Sequence, residues 1–237
     1  MTKNRRQDAI GSLPDEYEKA LCLLTKAIAL ILLVSVVSSC KTSHPVHSHK
    51  LNSAKLQDSV LMDSEGNKYA VKVLSDNNLW MTTNLKLTIS GSYCYDNSPS
   101  NCDRYGRLYT WESAQKGCSL LGEGWRLPAK DEWQQLTKLY GGAAEDSTII
   151  RKEAFKALLY TGASGFNALL GGGGEPDKDK YARLEAHGFY WTATEIDSST
   201  AWYYNFAKGS QALYQQDGGE KPRAFSVRCV KHFDGVK

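Results

Sequence analysis

The chain has 237 residues, a hydrophobic content of 41%, an aromatic content of 11% and a formal net charge of +3. This length and composition suit one domain with a full hydrophobic core and shorter appended segments. Because the charge is nearly balanced and the sequence holds no basic block, nothing supports nucleic-acid binding.

The first 39 residues have the pattern of a secretion signal, with Lys26 ahead of an uncharged run over residues 27–37. The run suits the apolar region of a signal peptide and is too short to span a bilayer. It leads through Ser38 and Ser39 into Cys40, which resembles the lipobox of bacterial lipoproteins, where the cysteine is lipidated. The alternative is an ordinary signal peptide or a short buried helix. We expect a signal peptide over residues 1–39, lipid on Cys40, a flexible tether over residues 40–59 and anchoring in the bacterial cell envelope, at the outer membrane.

From residue 60 onward the sequence predicts short strands and helices. The turn residues 63–67 lie between strand patterns at 60–62 and 69–74 and predict a β-hairpin, and residues 79–81 add a third strand. Helices are predicted over residues 110–116, with Gly117 as the C-terminal stop, from Pro128 through Tyr140, and over residues 148–160.

The second half is predicted to begin with a long loop. Residues 165–188 contain four consecutive glycines and a Glu-Pro-Asp segment, and three strand patterns follow at 189–194, 201–206 and 224–230. Together these elements predict one α+β domain over residues 60–232 whose two ends lie close together.

Four of the six cysteines lie beyond Cys40, at Cys94, Cys102, Cys118 and Cys229. An even number in an exported domain indicates two disulfides, for which three pairings are possible. The turn-rich residues between the first two favour a local bond there, which leaves the other two to pair. The alternative is a four-cysteine zinc site, but that requires close pairs such as C-x-x-C, which the sequence lacks. We expect no metal or other cofactor.

Several segments resemble the Fibrobacter succinogenes major paralogous domain, which many exported lipoproteins of Bacteroidetes and Fibrobacteres carry. They include Gly-Trp-Arg-Leu-Pro at 124–128, Tyr-Trp-Thr-Ala-Thr-Glu at 190–195 and Ser-Val-Arg-Cys-Val-Lys at 226–231. The resemblance covers residues 60–231. It implies a C-type lectin-like fold, with a small twisted antiparallel sheet, two to three helices, a long loop region and a bond between Cys118 and Cys229. The family has no well-established activity, so the resemblance implies a fold and a location and names no reaction.

Aromatic side chains beside carboxylates are typical of carbohydrate sites. The tryptophans in the family motifs are predicted to lie in the core: Trp111, Trp125, Trp133 and Trp191. Residues 202–204 are three consecutive aromatics in a strand, where alternation places the middle ring on the opposite face and favours at least one exposed ring. The candidate ligand contacts are Trp202, Tyr203, Tyr181 and Glu195.

The sequence is compatible with three functions. The first is an envelope-anchored lipoprotein, held to the bilayer by acylated Cys40, whose non-catalytic domain binds or adheres to glycan or protein. The alternative is a structural accessory subunit of an outer-membrane protein assembly, which would present a broad apolar patch. The third is an enzyme of the formylglycine-generating fold group, which would need an unpaired thiol. We expect no catalysis, because the domain's cysteines are predicted to be oxidised and its only histidines are His187 and His232.

Overall fold

The computed structural model describes residues 59–141, 147–175, 177, 179–233 and 235. The predicted signal peptide, Cys40 and the tether up to residue 58 lie outside these residues. None of the described helices is both long and apolar enough to cross a membrane.

The described residues form eleven strands, four α-helices and one 3₁₀ helix over Tyr95–Asn97. The strands are β1 Ser59–Met62, β2 Lys68–Val73, β3 Asn78–Met81, β4 Ser92–Tyr93, β5 Leu108–Tyr109, β6 Gly171–Glu175, β7 Lys180–Leu184, β8 His187–Glu195, β9 Thr200–Ala207, β10 Ala212–Glu220 and β11 Val230–His232. The helices are α1 Pro99–Tyr105, α2 Trp111–Ser119, α3 Lys130–Gly141 and α4 Ser147–Leu158.

These strands form three sheets, in the orders β1-β2-β3-β11, β10-β9-β8-β6-β7 and β4-β5. The pairs are antiparallel except for a short parallel contact of β6 with β8. The predicted α+β class is therefore confirmed. Because β1 and β11 belong to the same sheet, the two ends of the domain share one sheet, as predicted.

The predicted hairpin of β1 and β2 is confirmed, and Asp63 organises its turn. One carboxylate oxygen accepts the N–H groups of Glu65 and Asn67, and the other accepts the Tyr69 hydroxyl. Burial raises the pKa of Asp63, but these hydrogen bonds outweigh burial and lower the pKa overall.

Two aromatic clusters make up most of the core. In one, Trp133 is fully buried with Tyr204 stacked 5.2 Å away and Trp80 and Phe166 both at 5.4 Å. The other includes the remaining predicted core tryptophans, Trp111, Trp125 and Trp191. All four are at most 8% exposed, so their predicted core location is confirmed.

Both predicted disulfides are present. Cys94 bonds to Cys102, and Cys118 in α2 bonds to Cys229, 111 positions further along the chain. A loop of about 100 residues closed in this way stabilises a fold by about 4–5 kcal/mol, chiefly by constraining the unfolded chain.

Arg228 is a buried cation that joins three chain segments. Its guanidinium donates to Asn84 Oδ1 at 2.6 Å and to the carbonyl oxygens of Met81, Phe166 and Asn167 at 3.1, 2.7 and 2.6 Å. Burial lowers its pKa. The side chain therefore satisfies backbone acceptors that the core would otherwise leave unpaired.

The start of α3 is capped by Glu132. The Glu132 carboxylate accepts the Ala129 N–H at 2.8 Å and two bonds from Arg126 at 2.6 and 2.7 Å. Burial raises the pKa of Glu132, and the bonds from Arg126 and Ala129 outweigh that effect and lower the pKa.

The predicted long loop over residues 165–188 is wrong: half of it forms β6, β7 and the start of β8. The glycines of β6 allow neighbours to approach closely. A Cβ on Gly172 would lie 2.7 Å from both the Ala182 carbonyl oxygen and a carbon of the Tyr95 ring. The predicted stop at Gly117 is also wrong, because α2 continues to Ser119 and Gly117 packs against Leu85.

Two further elements differ from the prediction. The residues between the first two cysteines contain a 3₁₀ helix and the start of α1, which begins at Pro99. Of the predicted strand over residues 224–230, residues 224–226 make only isolated bridges, and the last strand begins at Val230. The sequence also missed β10, whose burial does not alternate regularly.

Candidate functional site

A cleft of about 650 Å³ lies beside β6 and β7, at one edge of the five-stranded sheet. This volume is in the range of small-molecule binding sites, about 300–1,000 Å³. The lining residues are Asp96, Gly173, Gly174, Glu175, Asp179, Lys180, Tyr181, Ala182, Arg183, Phe189, Tyr203, Arg223 and Phe225.

Glycines of β6 allow aromatic rings to pack directly on this strand. A Cβ on Gly173 would lie 2.9 Å from a carbon of the Phe225 ring and 3.0 Å from one of the Phe189 ring. A Cβ on Gly174 would lie 2.6 Å from a carbon of the Tyr181 ring. Because successive residues of a strand point to opposite faces, rings cover β6 on both sides. Because Gly173 and Gly174 have no side chains, the aromatic rings and the open volume of the cleft occupy the space beside β6.

One wall of the cleft is a set of three packed rings. Phe225 lies 5.1 Å from Phe189 and 5.0 Å from Tyr203, measured between ring centroids. Behind it, Trp191 lies 4.5 Å from Phe225. Phe225 is buried, whereas Phe189 and Tyr203 are half-buried. This packing fixes the wall while leaving part of two rings open to a ligand.

Charged side chains of both signs lie beside this wall. The Arg223 Nη2 atom lies 3.1 Å from a Glu175 carboxylate oxygen, and Arg223 also pairs with Glu220 at 3.4 Å. The lining contains three acidic residues and three basic residues, so its formal charges cancel. The cleft thus offers hydrogen-bonding groups without a strong field of either sign.

The segment between Cys94 and Cys102 reaches the opposite side of the cleft. The Asn97 side-chain amide donates to Asp179 Oδ1 at 2.7 Å, and its oxygen accepts the Tyr181 hydroxyl at 3.1 Å. The Tyr95 ring lies 5.3 Å from that of Tyr181. Burial, and then the negative charge of Asp179, raise the pKa of Tyr181. Burial also raises the pKa of Tyr203 on the aromatic wall.

Several backbone positions with unfavourable φ values lie at the cleft or next to it. Asp96, Asn97, Asp179 and Arg183 have φ values of 51°, 53°, 50° and 70°. Non-glycine residues rarely adopt positive φ, and Asp and Asn do so at lower cost than Arg. Such strain often occurs at binding or active sites. At these four residues the strain lies at the same edge of the sheet as the cleft, whereas other positive φ values, such as the 66° of Thr161, lie elsewhere.

The structure brings two of the four candidate ligand contacts together. Tyr181 and Tyr203 both line the cleft. Trp202 lies outside the lining, half-buried, with the Lys130 amine 5.0 Å from the centre of its ring. Glu195 also lies outside it and pairs with Lys221 at 2.9 Å.

Sequence reasoning missed Phe189, Phe225 and Arg223 as residues of this site, and it placed Glu175 in the Glu-Pro-Asp segment of a predicted loop. The two phenylalanines belong to predicted strands and resemble core residues. Arg223 lies between Gly-Gly-Glu-Lys-Pro and the last strand pattern, where the sequence gave no signal. The useful signal was the run of four glycines, which marks a place where other groups approach the backbone closely.

Metal and thiol chemistry have few candidate groups in the part of the chain that the structure describes. In that part, no group of three or more His, Cys, Asp and Glu side chains is arranged to hold a metal ion. The four cysteines of that part are all in disulfides.

Fold and site together define a disulfide-bonded α+β domain with a ligand-sized cleft at the edge of its larger sheet. A family model described as the Fibrobacter succinogenes major domain matches residues 73–231, which is more than half of the chain. The chain therefore belongs to this family. Comparisons with curated proteins and with solved structures gave no significant match. The C-type lectin-like topology that the resemblance implies stays a prediction.

Proposed function

We propose that this protein is a non-catalytic binding module of the bacterial cell envelope and that it binds carbohydrate in the cleft beside β6. The observation that carries the proposal is the pairing of a rigid aromatic wall with the Glu175–Arg223 ion pair inside one cleft. Anchoring through lipid on Cys40 is part of the same proposal and rests on the lipobox resemblance.

The chemistry of the cleft suits a sugar ring. The C–H face of a pyranose packs well against an aromatic face, which Tyr203 and Phe189 can offer. Its hydroxyls need donors and acceptors at fixed positions, which a guanidinium and a carboxylate supply with defined geometry. Binding sites of this size combine apolar walls with a few such polar groups.

The charge of the cleft favours an uncharged glycan. An acidic polysaccharide would be bound best by an excess of positive charge, and the lining charges cancel. A nucleic acid would need the same excess. A neutral sugar requires only the hydrogen-bonding groups and the aromatic surface that are present.

The other two functions have weaker support. An accessory subunit needs a continuous apolar face, whereas the exposed large apolar side chains of the described residues belong to several segments, among them β1, α3 and the β8–β9 turn. An enzyme of the formylglycine-generating group needs a free thiol, and the cysteines of the described domain are paired.

The test is a glycan array probed with the full chain, oxidised and in mild detergent, followed by titration calorimetry on the glycans it retains. We expect Tyr203→Ala to weaken binding by about tenfold or more, because it removes one ring of the wall. Glu175→Gln should weaken binding by a similar factor, because it removes an acceptor and breaks a charged pair. Binding should persist in the presence of a metal chelator.

Trp202→Ala is the matched control. Trp202 immediately precedes Tyr203 in the same strand, faces the other way by strand alternation and lies outside the cleft lining. We expect its affinity to stay within about twofold of the unmodified chain. Loss of binding in Trp202→Ala but not in Tyr203→Ala would move the site to the other face of β9. Absence of binding to any glycan would contradict the proposal and favour an assembly subunit, which co-purification from the envelope would then identify.

A further inference from the structure

We infer that Asn97 is a positioning residue of the cleft: it fixes Tyr181 and Asp179 in place from a separate, disulfide-closed segment. Its effect on affinity rests on the function proposed above. The positioning itself can be tested without any ligand.

The contacts of Asn97 are arranged as a bridge. Its amide nitrogen donates to Asp179, just before β7, and its amide oxygen accepts the hydroxyl of Tyr181, in β7. Asn97 is 82 and 84 positions from these two partners. One side chain thus connects both partners to a distant part of the chain, and each partner lines the cleft.

The segment that carries Asn97 is itself fixed. The bond between Cys94 and Cys102 closes it, and Arg107 lies 3.7 Å from both sulfur atoms while donating to Ser92. Asn101 donates to the Tyr95 carbonyl oxygen at 2.9 Å. The Asn97 backbone is therefore held at its φ of 53°, a value that asparagine tolerates better than most residues.

The partners of Asn97 need such support. Tyr181 belongs to β7, an edge strand that pairs only with β6, where it lies opposite Gly174. The ring packs on the Gly174 backbone and beside Tyr95, and the bond to Asn97 is the hydrogen bond that holds its hydroxyl end. Without that bond, the ring and the start of β7 should sample a wider range of positions. A wider range in the free protein reduces affinity, because binding must then restrict it.

Three variants of the full chain separate positioning from direct ligand contact. Asn97→Gly removes both hydrogen bonds and keeps the positive φ. Asn97→Asp keeps an acceptor for Tyr181 but places a carboxylate against Asp179. The double variant Asn97→Asp with Asp179→Asn swaps the two side chains, so that residue 179 supplies the donor and residue 97 the acceptor.

Two measurements are made on each variant: hydrogen–deuterium exchange over residues 179–184, and affinity for the glycan selected by the array. We expect Asn97→Gly and Asn97→Asp to speed exchange and to weaken binding about threefold to tenfold, the effect of one to two lost hydrogen bonds. In the double variant, the hydrogen–deuterium exchange rate and the glycan affinity should both return to within about twofold of the unmodified chain. The Tm of every variant is measured to exclude global unfolding.

The outcomes test separately whether Asn97 positions Tyr181 and Asp179 and whether the protein binds glycan. Asn97→Gly could bind more weakly while its hydrogen exchange stays unchanged and the double variant fails to recover affinity. That result would mean that Asn97 contacts the ligand directly and would overturn the inference. If the unmodified chain binds no glycan, the proposed function fails. In that case, faster hydrogen exchange in Asn97→Gly that is reversed in the double variant would still establish the positioning role. Unchanged hydrogen exchange in Asn97→Gly would refute it.

Discussion

The substitution Gly173→Ala tests directly whether close ring packing explains the glycines of β6. The added methyl group would lie 2.9 Å from Phe225 Cδ1 and 3.0 Å from both Phe225 Cε1 and Phe189 Cδ2. These rings have little freedom to move, because Phe225 is 4% exposed and packs on Trp191 and Tyr203. The protein must therefore shift a packed cluster to admit one carbon atom.

The expected cost follows from two opposing effects. Overpacking a core by one methyl group costs about 1–3 kcal/mol. Replacing glycine by alanine inside a strand stabilises the folded state by about 0.5–1 kcal/mol, because alanine has less conformational freedom than glycine in the unfolded chain. Central values of about 2 and about 0.75 kcal/mol for these two effects give a net loss in the free energy of unfolding of roughly 1 kcal/mol, with an upper limit of about 2.5 kcal/mol. With a urea m-value of about 2 kcal/mol per molar, the midpoint should fall by about 0.5 M.

Gly209→Ala is the control for this experiment. A Cβ there would meet nothing within 4 Å, and its φ is not in the positive range. We expect that variant to match or slightly exceed the unmodified chain in urea unfolding monitored by tryptophan fluorescence, with both disulfides intact. Equal midpoints for the two variants would refute the packing explanation. Gly173→Ala should also lose glycan affinity, because its methyl group enters the cleft wall.

Three other predictions concern the scaffold. Replacing Cys118 and Cys229 by alanine should lower the free energy of unfolding by about 3–5 kcal/mol in urea titrations, provided the domain still folds; a loss below about 1 kcal/mol would contradict the loop-entropy argument. Arg228→Lys should cost about 3 kcal/mol or more, because several backbone carbonyl groups lose their donors, and a Tm within about 2 °C of the unmodified chain would contradict this role. Glu132 has a folded pKa below its unfolded value of about 4.3, so its stabilisation is complete above that value and is lost as the pH falls through the folded pKa. Glu132→Gln should therefore flatten the pH dependence of Tm below about pH 4.3. A slope equal to that of the unmodified chain would contradict the stabilising role of the Glu132 carboxylate.

Much of the scaffold could be predicted because its signals are local. The hairpin of β1 and β2 follows from turn residues between two strand patterns, and α3 from apolar residues at helical spacing. The disulfides follow from four cysteines of which two enclose a short segment. For the hairpin, α3 and the first disulfide, residues close in sequence determine the structure, so periodicity and turn chemistry suffice. The bond between Cys118 and Cys229 spans 111 positions and could be predicted only because these two cysteines remain once the local pair is assigned.

The cleft could be predicted only in part, because its parts meet through distant contacts. Four glycines in a row suggest a flexible loop until the rings that pack on them are known. Phe225 comes from the bridged segment before β11, and Tyr181 comes from β7. Tyr203 was found because three consecutive aromatics in a strand leave at least one ring exposed, but the same pattern also selected Trp202, which lies outside the cleft lining. The role of Asn97 could not be predicted, since its partners lie more than 80 positions away.

The two disulfides have a mechanical consequence for the cleft. Asp96 lies inside the loop closed by Cys94 and Cys102, and the other lining residues, from Gly173 to Phe225, lie between Cys118 and Cys229. A pull on the two ends of the chain is carried across the sulfur–sulfur bonds and bypasses the residues between them. Stretching can therefore unzip β1 from β2 while the backbone around the cleft bears none of the load. A single proteolytic cut inside either loop likewise leaves the fragments covalently joined.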